Sequence, residues 1–133
     1  MSNTNAVTET PAAAAPAAID HFASLLAFET DCWDTNDAMT AGDPGFVLLD
    51  VRGKGGFDAG HIPGAVHFPH LDLNEANLAD YPADTLFVVY CAGPHCNGAD
   101  KAGLQLAKLG RPVKKMIGGI EGWKDEGFDL VSA

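Results

Sequence analysis

The chain has 133 residues, 47 % of them apolar, which suits one domain with a single core. Its net charge is −10: residues 1–51 hold eight acids and no bases, and six of the eight bases lie between Lys101 and Lys124. That distribution excludes the broad cationic surface nucleic acid requires. No apolar run approaches the roughly 20 residues of a membrane helix.

Residues 1–17 are polar and then Ala/Pro-rich, and read as a disordered tail. The first basic residue is Arg52, so the N-terminus lacks the charged region of a signal or transit peptide; the expectation is a cytoplasmic protein. Residues 18–32 form a helical extension. Asp20 caps a helix running to about Thr30, with Phe22, Leu25, Leu26 and Phe28 on one face. That face suits either a cover for one edge of the domain or a contact between two copies, and the oligomeric state stays open.

The main domain spans residues 33–133. A short helix is expected over Trp33–Thr40, then a turn at Gly42-Asp43-Pro44-Gly45. Phe46–Val51 is short, apolar and bounded by turn residues, the pattern of a buried strand. Ala65–Phe68 gives a second strand, Asn74–Ala79 a short helix, and Thr85–Tyr90 a third strand. Gly98–Leu109 is helical, with Leu104, Leu106 and Leu109 apolar and Gly110 as the stop. Val113–Ile117 is a fourth strand, and Gly118-Gly119 turns the chain into a last helix over Gly122–Glu126. Strands alternating with helices, without tight hairpins, predict a parallel α/β sheet. Ligands gather at the carboxyl ends of strands in such sheets, and Cys91 stands at one.

A thiol between a strand end and a helix start is chemically distinctive. The helix mouth offers unpaired N–H groups and about half a positive charge. Such surroundings lower a cysteine pKa from roughly 8.5 into the range of about 3.5–7.5. The same amides would hold an anion carried on the sulfur. Cys91 is therefore either a nucleophile in a cradle built by residues 92–97 or a buried structural cysteine. Three cysteines are an odd number for a disulfide framework, which favours free or reactive thiols. The basic run after Cys91 is either a solvated helix face or a guide for a small anionic substrate.

Four segments in order carry a resemblance: Leu48-Leu49-Asp50-Val51-Arg52, Gly60-His61-Ile62-Pro63-Gly64-Ala65, Val89-Tyr90-Cys91, and Gly118-Gly119-Ile120-Glu121-Gly122-Trp123. Together they resemble the successive signatures of a rhodanese-like (thiosulfate sulfurtransferase) domain of the single-domain type, over about residues 33–128. The resemblance implies a three-layer α/β sandwich with a central parallel sheet of about five strands. It implies that Cys91 takes a sulfane sulfur from a small anionic donor such as thiosulfate and holds it as a persulfide. The sulfur then passes to cyanide, a thiol or a thioredoxin-like acceptor. No metal or organic cofactor is expected. Asp50, Arg52 and His61 are expected to support the loops, and Gly119 and Trp123 to pack. A rhodanese-fold module that only binds a partner protein is the alternative without catalysis.

The cysteine loop departs from the common rhodanese pattern. Ala92, Gly93, Pro94, His95, Cys96 and Asn97 form the expected substrate-binding loop, with Pro94, His95 and Cys96 where a glycine and then a basic or hydroxyl residue are usual. Asn97 is expected to cap the following helix. A longer loop is a feature of the fold's phosphatase and arsenate reductase relatives, which hold an oxyanion with an arginine at the loop's end; this loop has none. Cys96 either resolves a Cys91 persulfide, two Cα atoms of one curled loop falling within the roughly 4.4–6.8 Å a bridge needs, or fills space beneath the loop. His95 either meets substrate or is a free loop residue. Cys32 is expected to pack. A metal site from Cys91, His95, Cys96 and His67 or His70 fits no common zinc spacing. Lys101 and other bases on the following helix are expected to steer anionic donors.

Overall fold

In the computed structural model, which describes residues 5–133, five strands build one sheet: β1 (Glu29–Thr30), β2 (Val47–Asp50), β3 (Val66–His67), β4 (Phe87–Tyr90) and β5 (Val113–Met116). All pairings are parallel, in the order β1-β5-β4-β2-β3. The helices are α1 (Ala15–Phe28), α2 (Cys32–Thr40), α3 (Lys54–Ala59), α4 (Gly98–Lys108) and α5 (Gly119–Asp125), with a 3-10 turn at His70–Asp72. Among the described residues no helix is long and apolar enough to cross a membrane.

The period-2 alternation of strand side chains separates two cores. Leu49, Val51, Phe87, Val89 and Cys91 face one way and pack with Ala99, Ala102 and Leu106 of α4. Leu48, Val88, Tyr90 and Met116 face the other way, onto Cys32 of α2 and Ile120 and Trp123 of α5. Strands β2 and β4, buried on both faces, read as continuous apolar runs for this reason. The three-layer α/β fold expected from the sequence is the fold observed.

Several boundaries differ. The described part of the expected tail holds no helix or strand up to Ala14, but α1 begins at Ala15, inside that stretch, with Pro16 in its first turn; residues 1–4 lie outside the described residues. Helix α1 ends at Phe28, and Glu29 and Thr30 instead pair with Lys115 and Met116 as the edge strand. No residue of α1 is buried, and Phe22, Leu26 and Phe28 are exposed. The helix expected over Asn74–Ala79 is a series of turns. There the Asn74 side chain accepts from the Asn77 amide and the Asn77 side chain donates to the Asp72 carbonyl, local bonds that compete with helix. Helix α4 stops as expected: the Gly110 amide bonds the Ala107 carbonyl and the Arg111 amide bonds that of Leu106.

Chain direction reverses its order across the sheet between β2 and β4. From β2 the chain crosses to β3 on one side, and from β4 to β5 on the other. The carboxyl ends of β2 and β4 are therefore the crevice where this class of sheet places its ligands. Asp50 ends β2, and Cys91 follows β4 directly.

Candidate active site

Cys91 and Cys96 are bonded to each other through their sulfurs, with their Cα atoms 6.5 Å apart. Cys91 is 7 % exposed, between the sheet and α4. The intervening residues turn back on themselves, the Cys96 amide donating to the Gly93 carbonyl at 3.0 Å. The sequence leaves Cys96 open between a resolving thiol and a space-filler; the geometry brings it to Cys91.

The amide ring expected around Cys91 is rearranged. No amide among the described residues bonds the Cys91 sulfur. The one amide among them that reaches a sulfur is that of Gly98, which donates to Cys96 Sγ at 3.4 Å. The amides of Ala92, Gly93, His95 and Asn97 have no acceptor among the described residues. Asn97 occupies the cap position of α4, but its side chain makes no capping bond, which corrects the expected cap. A Cβ on Gly98 would lie 2.8 Å from Cys91 Sγ, so only glycine lets the start of α4 come this close to the sulfur.

A second helix clamps the loop from the other side. The Ile120 amide donates to the Cys91 carbonyl at 3.1 Å and the Glu121 amide to the Ala92 carbonyl at 2.9 Å. These bonds start α5 at Gly119, ahead of its expected beginning at Gly122. Gly119 has φ +58°, and a Cβ there would sit 2.5 Å from the Cys91 oxygen and 2.9 Å from the Gly93 nitrogen. Gly119→Ala is expected to destabilise the protein by about 3 kcal/mol, because backbone atoms on both sides must separate. A thermal melt should show a Tm lower by about 10 °C; an unchanged Tm would mean that α5 backs away freely.

Beneath the loop lies a buried ion pair. Asp50 is fully buried and takes Arg52 Nη2 at 2.7 Å and Nε at 3.0 Å. Tyr90, next to Cys91, donates its hydroxyl to Asp50 Oδ2 at 2.7 Å and accepts the Ile62 amide at 3.2 Å. Arg52 also donates to the Gly60 carbonyl at 2.7 Å. Burial, then the neighbouring Asp50 carboxylate, pushes the Tyr90 phenol well above its ordinary range, so it remains a donor. Burial alone would lower the Arg52 pKa, but the hydrogen bonds and charge of Asp50 outweigh it and raise the value.

His61 is buried and pairs with Val131 through both backbone bonds, and its Nδ1 lies 2.8 Å from the Phe57 carbonyl. Phe57 stacks on it at 3.7 Å. His61 thus sits on the α3 side, as a turn element. His67 Nε2 lies 2.9 Å from the Arg52 carbonyl. Among the described residues no three His, Cys, Asp or Glu side chains converge to hold a metal ion. Trp123 packs as expected, its indole N–H on the Asp129 carbonyl at 2.9 Å.

Two depressions reach the cysteine pair. One, of about 520 Å³, is lined by Cys91, Cys96, Pro94, Trp33 and Cys32, with Asp31, Asp100 and Glu126 on its walls. Its one cation among the described residues, Lys115, is paired to Glu29 at 3.4 Å and Asp100 at 2.9 Å. The other, of about 480 Å³, is lined by Cys91, Ala92, Cys96, Arg52, His70 and Lys101, with no carboxylate among the described residues. Most of the basic run after Cys91 is occupied elsewhere. Arg111 donates to the carbonyls of Leu78, Tyr81 and Pro82, Lys114 to that of Leu26, and Lys124 pairs with Glu121. Of that run, Lys101 is the one that shares this second depression with the sulfurs.

Packing is the role expected of Cys32, and the structure adds a location to it. Cys32 is buried on the wall of the first depression, with its Sγ 3.5 Å from the Ile117 carbonyl and 3.6 Å from that of Gly119. Burial, then Asp31, Glu126 and Asp125, push its pKa up to about 11, so it stays a thiol at neutral pH and is a poor nucleophile. His95 is exposed at the loop tip.

Comparison with known proteins agrees with this geometry. The family model described as Rhodanese-like domain matches residues 34–126. A Bacillus halodurans protein of known structure superposes with a TM-score of 0.85 at 35 % identity, covering 88 % of this chain and 85 % of that one. Thiosulfate sulfurtransferase GlpE of Pseudomonas fluorescens is 32 % identical over 90 residues, 65 % of this chain and 78 % of its own length. An HTH-type transcriptional regulator of Mycobacterium tuberculosis is 38 % identical over 84 residues; the match spans 63 % of this chain but only 37 % of the regulator.

Proposed function

Since the chain belongs to the rhodanese-like domain family, we propose that it is a sulfurtransferase working through a Cys91 persulfide. The reaction starts from the reduced protein. The Cys91 thiolate attacks the outer sulfur of thiosulfate, the S–S bond of the donor breaks, and sulfite leaves with the electron pair. A nucleophilic acceptor then takes the outer sulfur from the persulfide and returns Cys91 as thiolate. The observation that carries the reading is a cysteine at the carboxyl end of the central strand, followed by a loop with four amides that have no acceptor among the described residues. Amides left free in this way can turn to an anion on the sulfur and stabilise it without a proton donor. The similarity to GlpE supports thiosulfate as a donor. The loop from Ala92 to Asn97 holds no arginine, which disfavours phosphate or arsenate chemistry.

Sulfite is the product to measure. Reduced protein should release one equivalent from thiosulfate alone and turn over continuously with a dithiol present. No sulfite, or hydrolysis of p-nitrophenyl phosphate in its place, would sink the reading. The depression lined by Lys101, Arg52 and His70 suits the approach of a dianion. Lys101→Glu should raise KM for thiosulfate about 3- to 10-fold with little change in kcat, and the difference should shrink in high salt. An unchanged KM at low ionic strength would show that Lys101 does not guide the donor.

A further inference from the structure

We propose that Cys96 is a resolving thiol, so that the protein reduces the sulfane sulfur to sulfide and ends the cycle as the Cys91–Cys96 disulfide. This role rests on the persulfide reading and adds the fate of the transferred sulfur. The Cys96 thiolate attacks Cys91 Sγ. A new Sγ–Sγ bond forms, the bond between Cys91 Sγ and the outer sulfur breaks, and that sulfur leaves as hydrosulfide with the electron pair. The two cysteine thiols are oxidised to the disulfide and the sulfane sulfur is reduced to sulfide. A small or protein dithiol then reopens the disulfide by thiol–disulfide exchange.

The two sulfurs are already joined across a five-residue separation, with Cα atoms 6.5 Å apart, inside the span a disulfide requires. The attacking sulfur is the one that receives an amide, the Gly98 N–H at 3.4 Å, which favours its thiolate once the bond is open. The target is enclosed at 7 % exposure, so an internal thiol has the advantage over an acceptor arriving from solution. The third cysteine does not compete: Cys32 lies against the Ile117 and Gly119 carbonyls. The two depressions give separate approaches to the pair, one lined by Lys101 and the other by Trp33 and Pro94. A donor anion and a reducing dithiol therefore need not share one entrance.

The test is a single turnover under anaerobic conditions. Fully reduced wild type and Cys96→Ala each meet one equivalent of thiosulfate without added thiol. Sulfite, sulfide and intact protein mass are followed together. Wild type should release one equivalent each of sulfite and sulfide and finish about 2 Da lighter than the reduced protein, as the disulfide. Cys96→Ala should release sulfite but little sulfide and keep a gain of about 32 Da, with a persulfide lifetime at least about tenfold longer. Wild type that holds the 32 Da gain without releasing sulfide would overturn the resolving role and leave the persulfide reading intact. Absence of sulfite from both proteins would overturn the persulfide reading itself, and the resolving role with it.

Discussion

Cys91→Ser is expected to lower sulfite release from thiosulfate at least about 10⁴-fold, to the rate without protein. A serine hydroxyl stays protonated at neutral pH, and an alkoxide is a poor partner for divalent sulfur. The substitution is close in size. Its hydroxyl replaces a sulfur that belongs to the apolar cluster of Leu49, Val51 and Ala99, so a stability loss of about 1–2 kcal/mol accompanies it. A circular dichroism melt beside the sulfite assay separates the two effects. Cys96 remains in this variant with the Gly98 amide near it, and residual activity routed through it would appear as a 32 Da gain on the peptide containing Cys96. Substantial turnover with no such adduct would mean that neither thiol carries the sulfur.

Asp50→Ala is expected to cost about 3–5 kcal/mol, a larger loss than that from Cys91→Ser. The carboxylate is fully buried and gathers three donors: the Arg52 guanidinium, the Arg52 amide and the Tyr90 hydroxyl. Its removal strands a guanidinium that is 13 % exposed and leaves a buried phenol without an acceptor. Tyr90 is bonded to Cys91 in sequence, so the loss also loosens the base of the cysteine loop, and kcat should fall with stability. Denaturant unfolding would measure the loss. Asp50→Asn offers the discriminating control: it keeps an acceptor oxygen but no charge, and should fall between Ala and wild type. A stability loss below about 1 kcal/mol for Asp50→Ala would show that water replaces the carboxylate, contrary to its burial.

The parts of this fold that local chemistry decides are legible in the chain. Strands β2 and β4 announce themselves because both faces are covered, and α4 because Leu106 and Gly110 mark its face and its end. The parts decided by distant partners are hidden. Strand β1 is two residues long and has no apolar signal; it exists because Lys115 and Met116 offer it an edge. Helix α3 contains Gly55 and Gly56 and is held by the Lys54–Asp58 pair and by Phe57 against His61 and His67. The early start of α5 is set by two carbonyls far back in the chain, those of Cys91 and Ala92. The site shows the same division. The motifs locate Cys91, Asp50 and Arg52, and the loop's curl brings in Cys96. They do not reveal that Gly98 aims its amide at Cys96, or that Cys32 stands on the wall of the same depression.

Edge strand β1 has a consequence for how the domain is delimited. Residues 34–126, the stretch shared with the family, begin after Glu29, Thr30, Asp31, Cys32 and Trp33. Trimming the chain to that stretch would strip the outer hydrogen-bonding side of β5 and offer its bare backbone to any passing strand, an invitation to self-association. The same cut would remove Asp31, Cys32 and Trp33 from the wall of the sulfur crevice. Five residues outside the shared stretch thus serve as the sheet's sentry and as masonry for the reaction chamber.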